Sequence, residues 1–172
     1  DATNECSQFW DEQGCIDIGD NCVWEWSSST CYDASEYGNI ANFVPAYQAL
    51  EYSVYPYNPM NFYITSAILD DYDLEVGDEI GIFDGEICVG SAIVESTISQ
   101  FSYLQLTASA QDSGWPTQAG FINDNTISYR YWDASENEEI ISVNAEYVQG
   151  VDTFAPALTV VITLNGGTAE SC

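Results

Sequence analysis

The chain has 172 residues, of which one is Lys or Arg, 28 are Asp or Glu and none is His, so its formal net charge is -27. One Arg cannot form the basic surface that attracts nucleic-acid phosphates or anionic lipid headgroups. The lack of His excludes Ser-His-Asp and Cys-His catalysis, as well as His-based zinc or copper sites. The remaining functions use carboxylates, hard cations, aromatic surfaces or self-association.

The composition predicts a folded chain despite its charge. Disordered chains combine high charge with few aromatic residues, whereas here 46% of residues are hydrophobic and 14% are aromatic. The acids repel one another, and salt or divalent cations screen that repulsion. The acidity therefore has two interpretations. The acids either form a diffuse surface charge that reflects adaptation to salty water or simple solubility, or include at least one ordered Ca²⁺ site.

An even number of cysteines predicts disulfides and an oxidising compartment. Zinc sites made of four cysteines use short C-x2-4-C spacings, which the four N-terminal cysteines lack. The chain starts with Asp rather than Met, as expected of a secreted protein after signal removal, and no apolar run suggests membrane insertion. We therefore predict an extracellular or cell-surface protein whose disulfide cysteines are Cys6, Cys15, Cys22, Cys31, Cys88 and Cys172.

Residues 1–40 are predicted to form a Cys-rich segment that cross-links hold together, each contributing about 2–4 kcal/mol. Its Gly-Cys, Cys-x-Trp and following Cys resemble the small plexin–semaphorin–integrin cysteine module, through Gly14, Cys15, Cys22, Trp24 and Cys31. The resemblance implies the pairs Cys6–Cys22 and Cys15–Cys31, which leaves Cys88–Cys172. The simpler alternative is a generic disulfide knot that acts as a cap or spacer.

Residues 41–172 are predicted to form one antiparallel β-sandwich or jelly roll. The run 60–69 alternates, which places Phe62, Ile64, Ser66 and Ile68 on one face. Asp84-Gly85 lies between two apolar runs and predicts a hairpin with a type I′ turn. Further alternating runs predict strands at 101–108, 126–132, 141–147 and 158–164.

The last predicted strand, ALTVVITL (residues 157–164), is apolar and uncharged. Such a segment is an aggregation hazard when it forms an exposed edge. One interpretation is a central strand of the sandwich. The other is a strand that pairs with, or is donated to, a neighbouring subunit.

One pattern carries a longer resemblance, which covers about 100 residues. It resembles a module that recurs in large secreted proteins of Bacteroidetes and neighbouring phyla. The resemblance implies an extracellular β-sandwich of adhesive or surface proteins, and it implies no reaction. The matching residues are Asn58, Met60, Gly77, Asp78, Glu79, Ile80, Gly81, Phe83, Asp84, Gly85, Cys88, Val89, Gly90, Ala92, Gly120, Phe121 and the run 129–133.

An acidic segment supplies the hard oxygen ligands that Ca²⁺ prefers. It is not an EF-hand, because the sixth position counted from Asp71 is Val76 rather than Gly, and the twelfth is Ile82 rather than Glu. The alternative is a solvated acidic turn. The candidate metal ligands are Asp70, Asp71, Asp73, Glu75 and Asp78.

Several aromatic residues are candidates for a ligand or assembly surface, although packing in the core is the alternative. They are Trp24, Trp26, Tyr55, Tyr57 and Trp115. Arg130, the only Lys or Arg in the chain, is expected to pair with a carboxylate or stack on an aromatic ring as a structural element.

These features together predict an extracellular structural or adhesive protein, a filament or surface-layer subunit that forms a homo-oligomer or polymer. Strand or aromatic contacts would join the subunits, and cations would neutralise the acidic surface. The alternative is a carbohydrate-binding module. We assign no catalytic residue, because among 28 acids some pair would satisfy any distance required of a glycosidase.

Overall fold

The computed structural model describes residues 41–47, 56–114 and 117–167, together with the backbone of two short N-terminal strands. The chain divides into two compact units, Asp1–Ile40 and Ala41–Cys172. In the first unit, β1 (Cys22–Glu25) pairs antiparallel with β2 (Thr30–Asp33). The predicted pairs Cys6–Cys22 and Cys15–Cys31 lie outside the described side chains.

The second unit is built from strands, and its described residues include no helix, as the alternating patterns predict. Its eight strands form one sheet in the order β4-β3-β10-β9-β8-β5-β6, with β7 beside β3. The strands are β3 (Met60–Leu69), β4 (Tyr72–Asp73), β5 (Glu79–Asp84), β6 (Ile87–Ile93), β7 (Leu104–Ala108), β8 (Ile127–Asp133), β9 (Glu138–Gln149) and β10 (Thr159–Gly166).

The sheet is mixed and curled into half a barrel rather than being purely antiparallel, and a sandwich or jelly roll is not confirmed. The first and last long strands, β3 and β10, run parallel. The curl brings β6 close to the end of β7, where the Ser109 amide donates to the Val89 carbonyl at 3.0 Å. Gly90 permits this approach, because a Cβ there would lie 2.6 Å from the Thr107 carbonyl oxygen.

The core fills the inside of the curl. Alternate residues of the central strands point inward, and Phe62, Tyr131 and Ile162 are fully buried there. At about 25 cal/mol per Å² of apolar surface, this burial is the main stabilising contribution to the fold. The outward residues of the same strands form the outer surface of the sheet.

A β-bulge at Thr65 changes which residues of β3 face outward. Ile64 pairs with Ile162 but Ser66 pairs with Thr163, so Thr65 is the extra residue. Its hydroxyl donates to the Ile162 carbonyl at 3.2 Å. The prediction that Ser66 shares the buried face of Ile64 is therefore wrong, because a bulge shifts the side-chain alternation by one residue. Ser66 and Ile68 are only partly buried, and Ala67 takes the core position.

The predicted hairpin between β5 and β6 is present, with a different turn. Asp84 pairs with Ile87, so the two loop residues are Gly85 and Glu86. Of these, only Gly85 has a positive φ, at 59°. A positive φ at the first loop position alone is the pattern of a type II′ turn rather than type I′.

The last strand lies inside the sheet. β10 pairs with β3 on one side and with β9 on the other. The interpretation as a central strand is confirmed. A strand with partners on both sides has no free edge to offer a neighbouring subunit, so pairing of β10 with a neighbour does not fit this fold.

Candidate functional site

Three carboxylates of the motif GDEIGIFDG (residues 77–85) bind loops to the sheet. Glu79 is 2% exposed and accepts hydrogen bonds from the backbone N–H groups of Asn42, at 2.7 Å, and Phe43, at 2.9 Å. Asp78 accepts from the amides of Glu75 and Ala134. Asp84 accepts from the Ile122 amide and the Asn125 side chain. Glu79 and Asp78 therefore satisfy loop donors that are at least partly buried, whereas the hydrogen bonds of Asp84 are exposed.

The segment 41–47 lies against the outer face of β5 and β6. Its Phe43 ring meets the Phe83 ring edge-on at 5.4 Å between centroids, and the Ala46 amide donates to the Cys88 carbonyl at 2.9 Å. Gly81 makes room for both rings, because a Cβ there would lie 2.5 Å from the Phe83 ring and 2.9 Å from the Phe43 ring. The motif thus holds the segment 41–47 through hydrogen bonds to the Glu79 carboxylate and through the space that Gly81 leaves for the two rings.

Four of the five predicted calcium ligands line one cleft, together with Asp133; they are Asp70, Asp73, Glu75 and Asp78. Asp70 and Asp71 have positive φ values of 47° and 71° and form the two-residue loop between β3 and β4. Positive φ at both loop residues is the type I′ pattern, which Asp tolerates. Asp73 and Glu75 are exposed, whereas the Asp78 carboxylate already accepts hydrogen bonds from two backbone amides. No group of three His, Cys, Asp or Glu within the described residues is arranged to hold a metal ion.

Cys88 carries a free, partly buried thiol in this structure. The pairing with Cys172 implied by the resemblance involves a residue outside those that the structure describes. Burial raises the pKa of the Cys88 thiol to about 11. The thiol stays protonated at neutral pH, which keeps its nucleophilicity low.

Arg130 makes both kinds of contact expected for it. Its guanidinium carbon lies 4.2 Å from the centroid of the Phe83 ring. Its nitrogens pair with Glu86 at 2.7 Å and with Glu139 at 3.1 Å. The side chain is 16% exposed. Its guanidinium lies over the Phe83 ring and joins β8 to the β5–β6 loop and to β9.

We expect Arg130→Ala to lower the free energy of unfolding by about 1–2 kcal/mol, because it removes a cation–π contact, packing over Phe83 and two partly exposed ion pairs. Arg130→Met retains the stem and should recover part of the loss. Chemical denaturation of both variants measures the effect. Unchanged stability of Arg130→Ala would contradict the structural role.

Among the aromatic residues predicted to form a surface, Tyr57 is the one whose side chain the structure describes. The ring of Tyr57 is partly buried and stacks on the buried Tyr47 at 6.3 Å. Trp24 lies on β1, where only the backbone is described. Trp26, Tyr55 and Trp115 lie outside the described residues.

A different surface stands out because it contains no acid. β3, β10 and the run 96–110 contain no Asp or Glu, although 28 of the 172 residues are acidic. β3 lies between β7 and β10 in the sheet. We call the outward residues of these three strands, together with the loop 96–103, the acid-free face.

Aromatic side chains are exposed on the acid-free face. Phe101 is 90% exposed and Tyr103 is 53% exposed, and the Tyr103 ring packs edge-on against Tyr63 of β3 at 5.0 Å. A turn displays Phe101, because the Ser99 hydroxyl accepts from the amides of Phe101 and Ser102. Sequence reasoning missed these rings. Their signal was an acid-free run with an aromatic residue at a turn.

Many exposed acids lie at two hairpins, whereas Glu95 and Glu146 border the acid-free face, beside the loop 96–103 and beside Thr163 of β10. Asp70, Asp71 and Asp73 lie at the β3–β4 hairpin, and further acids lie at the β8–β9 hairpin. The fold therefore separates an uncharged face from highly charged hairpins.

In the described part of the chain, no helix is long and apolar enough to cross a membrane.

Comparison of the chain with protein-family models, curated proteins and solved structures finds no match. The fold and the acid-free face are therefore the observations from which a function is argued.

Proposed function

We propose that this protein is an extracellular structural or adhesive subunit that assembles with copies of itself through the acid-free face. The observation that carries the proposal is the coincidence of exposed aromatic rings with the part of the sheet that contains no acid. The resemblance of residues 77–92 to secreted surface modules supports the same class of protein and its extracellular location.

Charge favours this face for contact between copies. Two chains that each carry a net charge of -27 repel one another. Screening confines that repulsion to about 8 Å at physiological ionic strength. Contact through a face without carboxylates avoids bringing the acidic surfaces of two copies directly against each other.

Phe101 has the properties of an interface anchor. Aromatic residues at the centre of an interface carry much of the binding free energy, and each contributes 1–2 kcal/mol or more. Phe101 is 90% exposed, so it contributes little to folding. Self-association gives its ring a partner surface and explains why a Phe is displayed on a turn.

Cations act on assembly as diffuse counterions in this account. The described acids form no ordered metal site, yet their repulsion must be screened wherever subunits approach. We therefore expect assembly to strengthen with NaCl and to strengthen more with Ca²⁺ at equal ionic strength. Calcium would here neutralise charge between subunits rather than occupy one loop.

Sedimentation velocity across a concentration series tests the proposal. Phe101→Ser and Tyr103→Ser should each weaken self-association at least tenfold, which corresponds to about 1.4 kcal/mol. Tyr72→Ser is the matched control, because Tyr72 is 78% exposed but lies between Asp71 and Asp73. Equal effects at Tyr72 and Phe101, or a monomeric wild type at every concentration and salt tested, would overturn the proposal.

A further inference from the structure

A polar groove lies on the outer surface of the sheet, where β10 runs between β3 and β9. The volume of this groove is about 310 Å³.

 The groove is thus large enough for one sugar ring, since small-molecule pockets start at about 300 Å³. Its polar lining residues are Ser66, Thr163, Glu146, Asn165 and Asn144.

The sheet register places these side chains in a small grid. Ser66, Thr163 and Glu146 lie side by side on one row across the three strands. Asn165 and Asn144 lie on the next outward row, two residues further along. Neighbouring strands are about 4.8 Å apart and successive outward residues about 6.6 Å apart. The grid therefore covers roughly 10 by 7 Å, which matches a sugar ring.

The bulge at Thr65 builds one side of this grid. Without the extra residue, regular alternation would turn Ser66 toward the core. The hydrogen bond from the Thr65 hydroxyl to the Ile162 carbonyl, at 3.2 Å, supports the bulge. Bulges re-aim side chains next to functional sites, and here the bulge adds a hydroxyl to the groove.

The polar groups of the groove are available to a ligand. Asn144, Glu146 and Asn165 are exposed. No described residue forms a hydrogen bond with the side chains of Ser66, Thr163, Asn144 or Asn165. Two amides, two hydroxyls and one carboxylate therefore offer both donors and acceptors within one concave surface.

We propose that this groove binds a neutral saccharide. Sugar hydroxyls both donate and accept hydrogen bonds, which amides and hydroxyls match and which a purely charged site does not. The groove has no cation to hold an anionic sugar, and the chain's net charge of -27 repels one. Ile68 lines the same groove and can cover an apolar face of the ring.

Although Ser66, Thr163 and Asn165 of the groove belong to the acid-free face, saccharide binding and self-association can be tested separately. The aromatic anchor of the proposed assembly contact is Phe101, whereas the amides of the groove lie on β9 and β10. Phe101→Ser should therefore leave saccharide binding unchanged. Asn144 lies on β9, outside the acid-free face, so Asn144→Ala should in turn leave the sedimentation behaviour of the protein unchanged.

The test is isothermal titration of the full chain with neutral gluco-, manno- and galacto-oligosaccharides, and with oligogalacturonate as the anionic comparison. We expect at least one neutral saccharide to bind. The double variant Asn144→Ala, Asn165→Ala should weaken that binding at least tenfold, and Gln111→Ala, at another exposed uncharged position, should not change it. An unchanged thermal midpoint establishes that the variants fold.

Three results would overturn the inference. They are wild-type protein that binds none of the neutral saccharides, neutral-saccharide binding that survives the double variant, and oligogalacturonate binding as tight as neutral binding. Loss of self-association in Phe101→Ser with saccharide binding intact would support both proposals. A monomeric wild type that binds a neutral saccharide at the groove would reject assembly and support this site.

Discussion

Replacement of Glu79 by Ala is expected to lower the free energy of unfolding by about 3–5 kcal/mol, because it leaves buried donors without partners. The carboxylate accepts hydrogen bonds from the Asn42 amide, the Asn42 side chain and the Phe43 amide, at 2.7, 2.9 and 2.9 Å. Hydrogen bonds to a charged group each contribute about 1.5–3 kcal/mol. Chemical denaturation followed by fluorescence measures the change.

Two variants control this experiment. Glu79→Gln retains one acceptor oxygen and should have an intermediate effect. Glu138→Ala removes an exposed acid and should change stability by less than about 0.5 kcal/mol. A Glu79→Ala protein as stable as Glu138→Ala would show that Glu79 does not anchor segment 41–47.

Stability is expected to fall steeply above about pH 10. Burial raises the pKa of Tyr131, and burial together with Tyr147 raises that of Tyr129. The hydroxyls of Tyr129 and Tyr147 lie 2.9 Å apart. Each raised pKa favours the neutral phenol in the folded state, so its contribution is fully present below the unfolded pKa. It is lost as pH rises toward the folded pKa, at about 1.4 kcal/mol per pH unit for each group.

Urea denaturation at pH 9, 10 and 11 measures this loss. Above pH 10, Tyr129→Phe and Tyr131→Phe should each reduce the slope of the unfolding free energy against pH by about 1.4 kcal/mol per pH unit. Tyr72→Phe, which changes a ring that is 78% exposed, should leave the slope as in wild type. The same alkaline slope in all four proteins would contradict the burial of the two phenols.

Local patterns were sufficient to predict the strands. Alternation of apolar residues marks β3, β8 and β10, because one side of each strand faces the core. The Asp-Gly pair between two apolar runs indicated the β5–β6 hairpin, in which Gly85 adopts a positive φ. These signals depend on neighbouring residues alone, so they are readable from the sequence.

Non-local features were not readable in the same way. The parallel pairing of β3 with β10 joins strands that are far apart in the sequence, and the bulge at Thr65 depends on that pairing. The curl of the sheet depends on the approach of Gly90 to Thr107. Alternation within a strand carries no information about which strand becomes its neighbour.

The partners of the acidic residues could not be predicted from the sequence. An acidic run indicated calcium, but Asp71 is held in a turn and Asp78 binds amides from other loops. These roles depend on φ and on partners distant in sequence. The acid-free run 96–110 was present in the sequence, but its importance depends on its position beside β3 in the folded sheet.

Hydrogen–deuterium exchange across a protein concentration series tests the central claim most directly, because it shows whether copies associate and which amides are covered. The account predicts increasing protection of the run 96–110 with concentration, and unchanged exchange at 70–73 and 134–137. No concentration dependence at 96–110, or protection that appears at the acidic hairpins instead, would contradict assembly through the acid-free face.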